Sequence, residues 1–416
     1  MRSFQSAITT RSMVCLLTLS LIISACTPVQ PSNPTPVQPT IFITTSTASP
    51  QPIPTITAIP PTATPKPEPH FEIEGKPFKY LGTFVPGMYW GEWSMANDVA
   101  IVTEAKQAGF TVLNIMLPEY EKSLGIYNEN ELKHLDHFMD VASQNGIYVI
   151  LPFEHGLGMA QPSAQGEDAF ANPGGVEGLI HQPALRDGFK NHMAELITRV
   201  NTVNSRKYSD DPTILSWMVI IEIVGAPFNY PQGFPNVTAV EIANWLQENA
   251  AYINTLDANH LVSINTGAPI DAFDSLQQDW SQILQVPDLD FIEAEDAEAR
   301  IRDHPDQMST FDTIYALHKP VVAMLSYTGG GVDRNIYCKD YKWQADAYRQ
   351  VVDLYAKKGA VGFGIFSWRS SHNTEWECYS YDINTPNVVT AMQDISSKLG
   401  SLNTPPQPLD FVKLIH

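Results

Sequence analysis

The sequence predicts an α/β fold, a closed (β/α)8 barrel of the TIM type in a single domain, on three observations. Short apolar, β-rich runs alternate with amphipathic stretches eight times between Phe78 and Gly400, and such alternation means parallel strands joined by right-handed crossovers. Three amphipathic stretches end in glycine just before the next strand, at Gly109, Gly146 and Gly359, as helix C-caps do. No Gly-rich phosphate turn follows the first strand, where Thr83-Phe84-Val85-Pro86 stands instead. That argues against the main open-sheet alternative, a doubly wound dinucleotide-binding sheet.

The elements follow in order. Strand 1 is expected at Lys79–Phe84 and is followed by a helix over Met95–Ala108, closed by Gly109. Strand 2 is Thr111–Leu117, with a helix at Glu129–Gln144 that Asn145-Gly146 ends. Strand 3 is Ile147–Phe153, followed by a helix over Pro183–Val203. Strand 4 is Ile214–Ile220 with helix Thr238–Leu256; strand 5 is His260–Thr266 with helix Asp271–Leu284. Strand 6, Asp290–Ala294, precedes helix Pro305–Leu317. Strand 7, Val321–Leu325, precedes Tyr341–Lys358, closed by Gly359. Strand 8 is Val361–Trp368 and helix Pro386–Leu399 completes the ring. In a barrel of this kind the active face lies where strands end and the following loops begin.

Ahead of this domain the chain reads as an address and a spacer. Met1–Ala25 carries Arg2 and Arg11 before an apolar run from Met13 to Ile23, too short to span a bilayer with ordinary flanks. It closes on Ile23-Ser24-Ala25-Cys26, which resembles a bacterial lipobox. The resemblance implies cleavage before Cys26, lipidation of that cysteine, and a protein anchored outside the cytoplasm by lipid alone. Residues 26–70 are rich in Pro, Thr and Ser with almost no charge, an extended semi-rigid spacer. The barrel domain is expected over residues 71–416, longer than the ~250 residues of a typical single barrel and so furnished with long loops. The net charge of −20 and the lack of a basic cluster argue against a nucleic-acid partner. Of four cysteines, Cys15 leaves with the signal and Cys26 takes lipid. Cys338 and Cys378 remain, in loops after strands 7 and 8, where a disulfide is expected and two free thiols are the alternative. Closing that roughly 40-residue loop would contribute on the order of 3–4 kcal/mol. No His/Cys spacing matches a zinc site, and no metal or cofactor is expected.

Four segments carry a resemblance. Phe71-Glu72-Ile73-Glu74-Gly75-Lys76-Pro77-Phe78 is similar to the opening of many glycoside hydrolase family 5 enzymes. Arg199-Val200-Asn201 through Asp210-Asp211-Pro212-Thr213-Ile214-Leu215-Ser216-Trp217 resembles their approach to strand 4, especially in β-mannanases. Lys319-Pro320-Val321-Val322 resembles their entry into strand 7, and Gly362 to Trp368 their strand 8. The resemblance implies a clan A barrel that cleaves β-linked polysaccharide with retention, using two carboxyls about 5–5.5 Å apart at the ends of strands 4 and 7. It puts the acid/base on Glu222, after Trp217-Met218-Val219-Ile220-Ile221, and Leu325 at the station of the nucleophile. Leucine cannot attack an anomeric carbon. The family's strand 2 arginine corresponds to Asn114, the asparagine beside the acid/base to Ile221, and the histidine after strand 6 to Glu295. These four departures argue against the inherited retaining mechanism.

Strand 6 offers acids of its own. Glu293 and Glu295 share one strand face, and Glu222 with Glu295 forms a candidate inverting pair if separated by about 6.5–9.5 Å. The alternative is that these acids hold a cation or pair with Arg300 or Arg302. For sugar contact the resemblance points first to Trp368 as a stacking platform. Trp90, Asn114, Glu293, His155 and Tyr327 are further candidates, with Trp93, Tyr230, Asn373, Glu375 and Trp376 on the rim. Two functional classes remain open: an enzyme cleaving mannan- or cellulose-like β-glycosides, and a surface protein that binds polysaccharide or oligosaccharide without turnover.

Overall fold

The computed structural model describes residues 68–86, 94–118, 120–154, 175–221, 223, 237–267, 281–297, 309–326, 340–369, 381–400 and 408–416. The expected signal, Cys26 and the expected spacer up to residue 67 lie outside them, as do Trp90, Trp93, His155, Glu222, Tyr230, Tyr327, Cys338, Asn373, Glu375, Trp376 and Cys378; His70, expected in the spacer, begins a strand, His70–Ile73. The described body belongs to one compact unit, Pro65–His416.

Eight parallel strands close into a barrel in sequential order. Barrel strands 1 to 8 are β3 (Tyr80–Val85), β4 (Val112–Ile115), β7 (Tyr148–Pro152), β8 (Ile214–Met218), β9 (Leu261–Asn265), β10 (Phe291–Ala297), β11 (Val321–Ser326) and β12 (Gly362–Phe366). The described helices are α1 (Asp98–Gln107), α2 (Glu129–Asn145), α3 (Gly175–His181), α4 (Pro183–Thr198), α5 (Ala239–Leu256), α6 (Ser281–Leu284), α7 (Ser309–Ala316), α8 (Tyr341–Lys357) and α9 (Pro386–Leu399). Every expected strand is present within a few residues of its expected ends. Gly109, Gly146 and Gly359 carry the positive φ (96°, 68° and 94°) expected of helix-ending glycines.

Five strands and the short helix α3 were not expected. β1 (His70–Ile73) and β2 (Lys76–Phe78) form a hairpin, and β13 (Lys413–Ile415) pairs with β1 to make a three-stranded antiparallel sheet. Glu74 and Gly75 both have positive φ at its turn, the geometry that a two-residue hairpin connection demands. This sheet closes the N-terminal end of the barrel. Phe71 meets Tyr80 and Phe291 at 5.5 and 5.3 Å between ring centroids, and Phe78 meets Tyr148 at 6.0 Å. A second hairpin, β5 (Glu121–Ser123) with β6 (Ile126–Tyr127), stands after barrel strand 2 at the other end.

Alternation divides the apolar side chains into two layers. Phe84, Val112, Ile150, Met218, Phe291, Val322 and Met324 point into the barrel, while Leu81, Leu113, Val149, Trp217, Ile292, Ala323 and Leu325 face the helices. Barrel strand 8 leaves room for this packing. A Cβ at Gly362 would stand 2.9 Å from the Tyr80 ring, and one at Gly364 would overlap Met324 Sδ.

α4 stops at Thr198, short of the expected Val203, because the chain turns there around a buried acid. Asp136 is inaccessible and accepts from Arg199 Nε (2.9 Å) and Nη2 (2.8 Å), Thr202 N (3.0 Å) and Oγ1 (2.7 Å), and Tyr208 Oη (2.9 Å). Burial alone would raise the Asp136 pKa; the Arg199 and Thr202 hydrogen bonds outweigh it and hold the carboxyl below its ordinary range. Asn201 donates to Asp136 O at 2.9 Å, and Asp211 accepts from Arg206 at 2.7 Å. The segment with the most specific family likeness is therefore a scaffold that sets the start of barrel strand 4. Arg199→Met strands the Asp136 charge, and we expect a loss of roughly 3–5 kcal/mol in urea unfolding; a change below about 1 kcal/mol, the scale of an exposed pair, would contradict this account.

Candidate active site

The open end of the barrel is where the strands finish, opposite the aromatic plug. The interior faces of barrel strands 2, 5 and 6 carry polar groups that meet there: Asn114 on β4, Ser263 and Asn265 on β9, and Glu293 on β10. Glu293 is 1 % exposed. It accepts from Asn114 Nδ2 at 2.9 Å, Asn265 Nδ2 at 3.3 Å and Tyr80 Oη at 3.4 Å. Burial pushes its pKa up to about 7, against the pull of those three donors. Burial also raises the Tyr80 phenol well above its ordinary value, with Glu293 adding to the effect, so the hydroxyl keeps its proton and donates.

This arrangement changes the reading of two residues expected to touch a saccharide. Asn114 is 3 % exposed and faces Glu293 rather than an open cleft. Glu293 in turn forms a closed floor beneath the mouth. Asn114 Oδ1 is buried without a hydrogen-bond partner among the described residues.

Two further expectations are corrected by strand geometry. Leu325 is fully buried in the layer between strands and helices, so it does not occupy an active-site station. Among the described side chains of β11, those facing inward are Val322 and Met324. Val321–Ser326 contains no carboxylate in either direction. Trp368 is likewise fully buried, edge-on to Phe110 at 5.3 Å between centroids. β12 ends at Phe366, and beyond it the alternation of the strand no longer governs where a side chain points. The half-buried aromatic at the open end of barrel strand 8 is Phe366, stacked on Phe84 at 5.1 Å and 18°.

Glu295 lies on β10 in register with Met324 of β11, two residues past Glu293. Around position 222 the backbone is anchored on both sides. Ile221 N donates to Glu154 O at 2.9 Å, past the end of barrel strand 3, and Ile223 N donates to Asn265 O at 3.1 Å, on barrel strand 5. Asn265 N returns a bond to Ile220 O at 3.1 Å. The ladder thus continues beyond the last residue of β8.

Sequence reasoning missed Tyr80 and Asn265 as partners of Glu293. A signal existed for the second: Ser263 and Asn265 alternate with Val262 and Ile264 in a strand buried on both faces, and a polar residue inside a barrel must find a partner. It also missed Glu121 and His192, a buried pair at 2.7 Å that joins the β5–β6 hairpin to α4. Their separation of 71 positions leaves no local signal. Among the described residues no cluster of three or more His, Cys, Asp or Glu could hold a metal ion.

The described geometry fits what the chain is similar to. A family described as "GH family 5 beta-mannosidase-like" matches residues 176–293. Mannan endo-1,4-beta-mannosidase 5 of Solanum lycopersicum is 28% identical over 211 residues, 47% of this chain and 48% of that protein. Mannan endo-1,4-beta-mannosidase 4 of Oryza sativa subsp. japonica is 31% identical over 147 residues, 34% of this chain and 30% of that protein. The chain spans about half the length of the curated relatives it matches, or less. Among solved structures, the endo-1,4-beta-mannanase from Rhizomucor miehei superposes with a TM-score of 0.60 at 18% identity, covering 80% of this chain and 99% of that one. The endo-beta-1,4-mannanase from Thermotoga petrophila gives 0.59 at 18% identity, covering 79% and 78%. These two show the fold. Over residues 176–293 the chain is similar to the family 5 beta-mannosidase-like model, and the whole barrel shares its fold with these mannanases.

The Glu293 pocket yields a test of sign and size. The folded pKa of about 7 lies above the ordinary 4.5, so the contribution of Glu293 is fully present below about pH 4.5 and is lost as pH rises through 7. Relative to Glu293→Gln, the wild type should lose on the order of 3 kcal/mol between these limits, measured by urea unfolding at several pH values. Parallel stability curves for the two proteins would refute it.

Proposed function

We propose that this protein is an exported, lipid-anchored glycoside hydrolase acting on β-linked, mannan-type polysaccharide or oligosaccharide, with Glu222 as the general acid. The observation that carries the reading is the doubly anchored backbone at Ile221 and Ile223, at the open end of barrel strand 4. General acid catalysis needs a carboxyl held within hydrogen-bond reach of the leaving oxygen, and a backbone fixed on both sides of position 222 supports such a role. The curated relatives named as mannan endo-1,4-beta-mannosidases support the substrate class.

The partner acid in this reading is Glu295. Barrel strand 7 offers no carboxylate from Val321 to Ser326, and Glu293 is closed off by Tyr80, Asn114 and Asn265. Strand alternation assigns position 295 to the same face as Glu293, nearer the open end. A carboxyl there would activate water for attack on the sugar face opposite Glu222, an inverting displacement for a separation of about 6.5–9.5 Å. Protonation of the leaving oxygen by Glu222 and removal of a water proton by Glu295 balance the step, and no covalent intermediate forms.

One observation favours a second reading, polysaccharide binding without turnover. The described inward side chains of β11 are apolar, Val322 and Met324, and Val321–Ser326 offers no carboxylate where a retaining enzyme carries its second acid. A release assay on mannan, glucomannan, xylan and cellulose oligosaccharides separates the two. Hydrolysis of a mannan substrate that falls by ~10²–10⁴-fold in Glu222→Gln supports the enzyme. Retention on mannan with no product from either protein supports the binder.

The anchoring part of the proposal rests on Ile23-Ser24-Ala25-Cys26 and on the Pro/Thr-rich spacer behind it. In a bacterial host Cys26→Ser should move the protein from the membrane pellet to the soluble fraction. A variant that sediments like the wild type would overturn the anchor.

A further inference from the structure

Past the end of barrel strand 2, a carboxylate and a histidine are buried against one another. Glu121, on β5 of the hairpin after barrel strand 2, has no exposed side-chain surface, and its partner His192 on α4 is 8% exposed. Glu121 accepts from Gly125 N across the hairpin turn and meets His192 Nδ1 at 2.7 Å. The other ring nitrogen, His192 Nε2, lies 3.2 Å from the carbonyl of Phe153, just past barrel strand 3. A carbonyl can only accept, so Nε2 carries the hydrogen of that bond. The imidazole is fixed in plane as well. The Tyr120 ring stacks on it at 4.3 Å and 15°, and Tyr120 Oη donates to His192 O at 3.3 Å.

The carbonyl that His192 holds belongs to the residue before Glu154, whose own carbonyl anchors the extension of barrel strand 4. Phe153 N donates to Met218 O at 2.9 Å, and the Phe153 ring stacks on Trp217 at 5.4 Å. The next carbonyl, Glu154 O, accepts from Ile221 N. The two residues past barrel strand 3 are therefore gripped by α4 on one side and by the extension of barrel strand 4 on the other. Glu121 orients the imidazole, the imidazole fixes the Phe153 peptide, and that peptide leads into the acceptor for the residue preceding Glu222.

We infer that His192, oriented by Glu121, is a positioning residue that sets the backbone carrying the acid on barrel strand 4. The inference rests on the hydrolase reading for its catalytic consequence but not for its structural one. A general acid displaced by even an ångström loses much of its effect, so a distant hydrogen bond can govern turnover.

Asparagine and glutamine separate the two nitrogens of the ring. The side-chain amide of glutamine reaches the place of Nε2, and that of asparagine the place of Nδ1. His192→Gln should keep the bond to Phe153 O, with kcat on mannan oligosaccharides and Ile221 amide exchange close to wild type. His192→Asn should keep only the Glu121 side; kcat is expected to fall ~10–100-fold with KM changed by less than about threefold, and Ile221 exchange to accelerate. Equal behaviour of the two variants, or unchanged Ile221 exchange in His192→Asn, overturns the inference. Wild-type turnover together with full kcat in His192→Asn sinks the inference and leaves the hydrolase reading standing. A wild type that hydrolyses no β-linked substrate sinks the hydrolase reading instead, and Ile221 exchange then decides on His192 alone. Should His192→Asn fail to fold, Glu121→Gln removes the charge that orients the ring while keeping its shape. Faster Ile221 exchange there supports the inference, and unchanged exchange overturns it.

Discussion

Closing eight strands into a ring sends every second side chain into a space that water does not fill. The rest of this structure follows from how that space is occupied. At the N-terminal end it takes aromatics: Phe71 and Phe78 from the β1–β2 hairpin seal against Tyr80, Tyr148 and Phe291. In the middle it takes Met324 and the Tyr80 ring, which fit because barrel strand 8 has glycine at 362 and 364. Towards the ends of the strands it takes polar groups, and there burial sets the chemistry. Glu293 survives only because Tyr80, Asn114 and Asn265 turn their donors on it, and even so it ionises near pH 7.

The same rule organises the outer layer. Asp257 is buried beside Trp217 Nε1 at 2.7 Å and His260 Nδ1 at 2.6 Å, while His260 Nε2 meets Asp211 O at 2.9 Å. Asp136 gathers Arg199, Thr202 and Tyr208, and Glu121 takes His192. Each of these acids fixes a loop or a strand end that no apolar contact would fix in one orientation, since hydrogen bonds are directional and apolar burial is not. Their effects converge on barrel strand 4, whose approach is set through Asp136 and Asp211, whose Trp217 is pinned by Asp257, and whose extension is held by Glu154 O and Asn265 O.

The described inward side chains of barrel strand 7, Val322 and Met324, are apolar. The retaining arrangement that the sequence resemblance implies places carboxyls on strands 4 and 7; here Val321–Ser326 has none, and β10 carries Glu293 and Glu295. Fold likeness to mannanases leaves that question to the site, because chemistry resides in specific groups and not in the barrel.

The sequence by itself determined the barrel. Strand and helix period, helix-ending glycines and the order of elements are local properties, fixed by backbone sterics and side-chain spacing, and all eight strands were legible. It also located Glu293 and Glu295 on one strand, and it contained the Glu74-Gly75 turn of the bottom hairpin. Whether a strand residue faces the ring or the helices depends on strand tilt and register with its neighbours, and tertiary structure alone settled that Leu325 points outward, that Trp368 leaves the cleft after β12 ends, and that Asn114 spends its amide on Glu293. The Glu121–His192 pair lay equally beyond reach. Hydrogen bonds between residues far apart in the chain form only when closure of the barrel brings their elements together, and no local pattern records them.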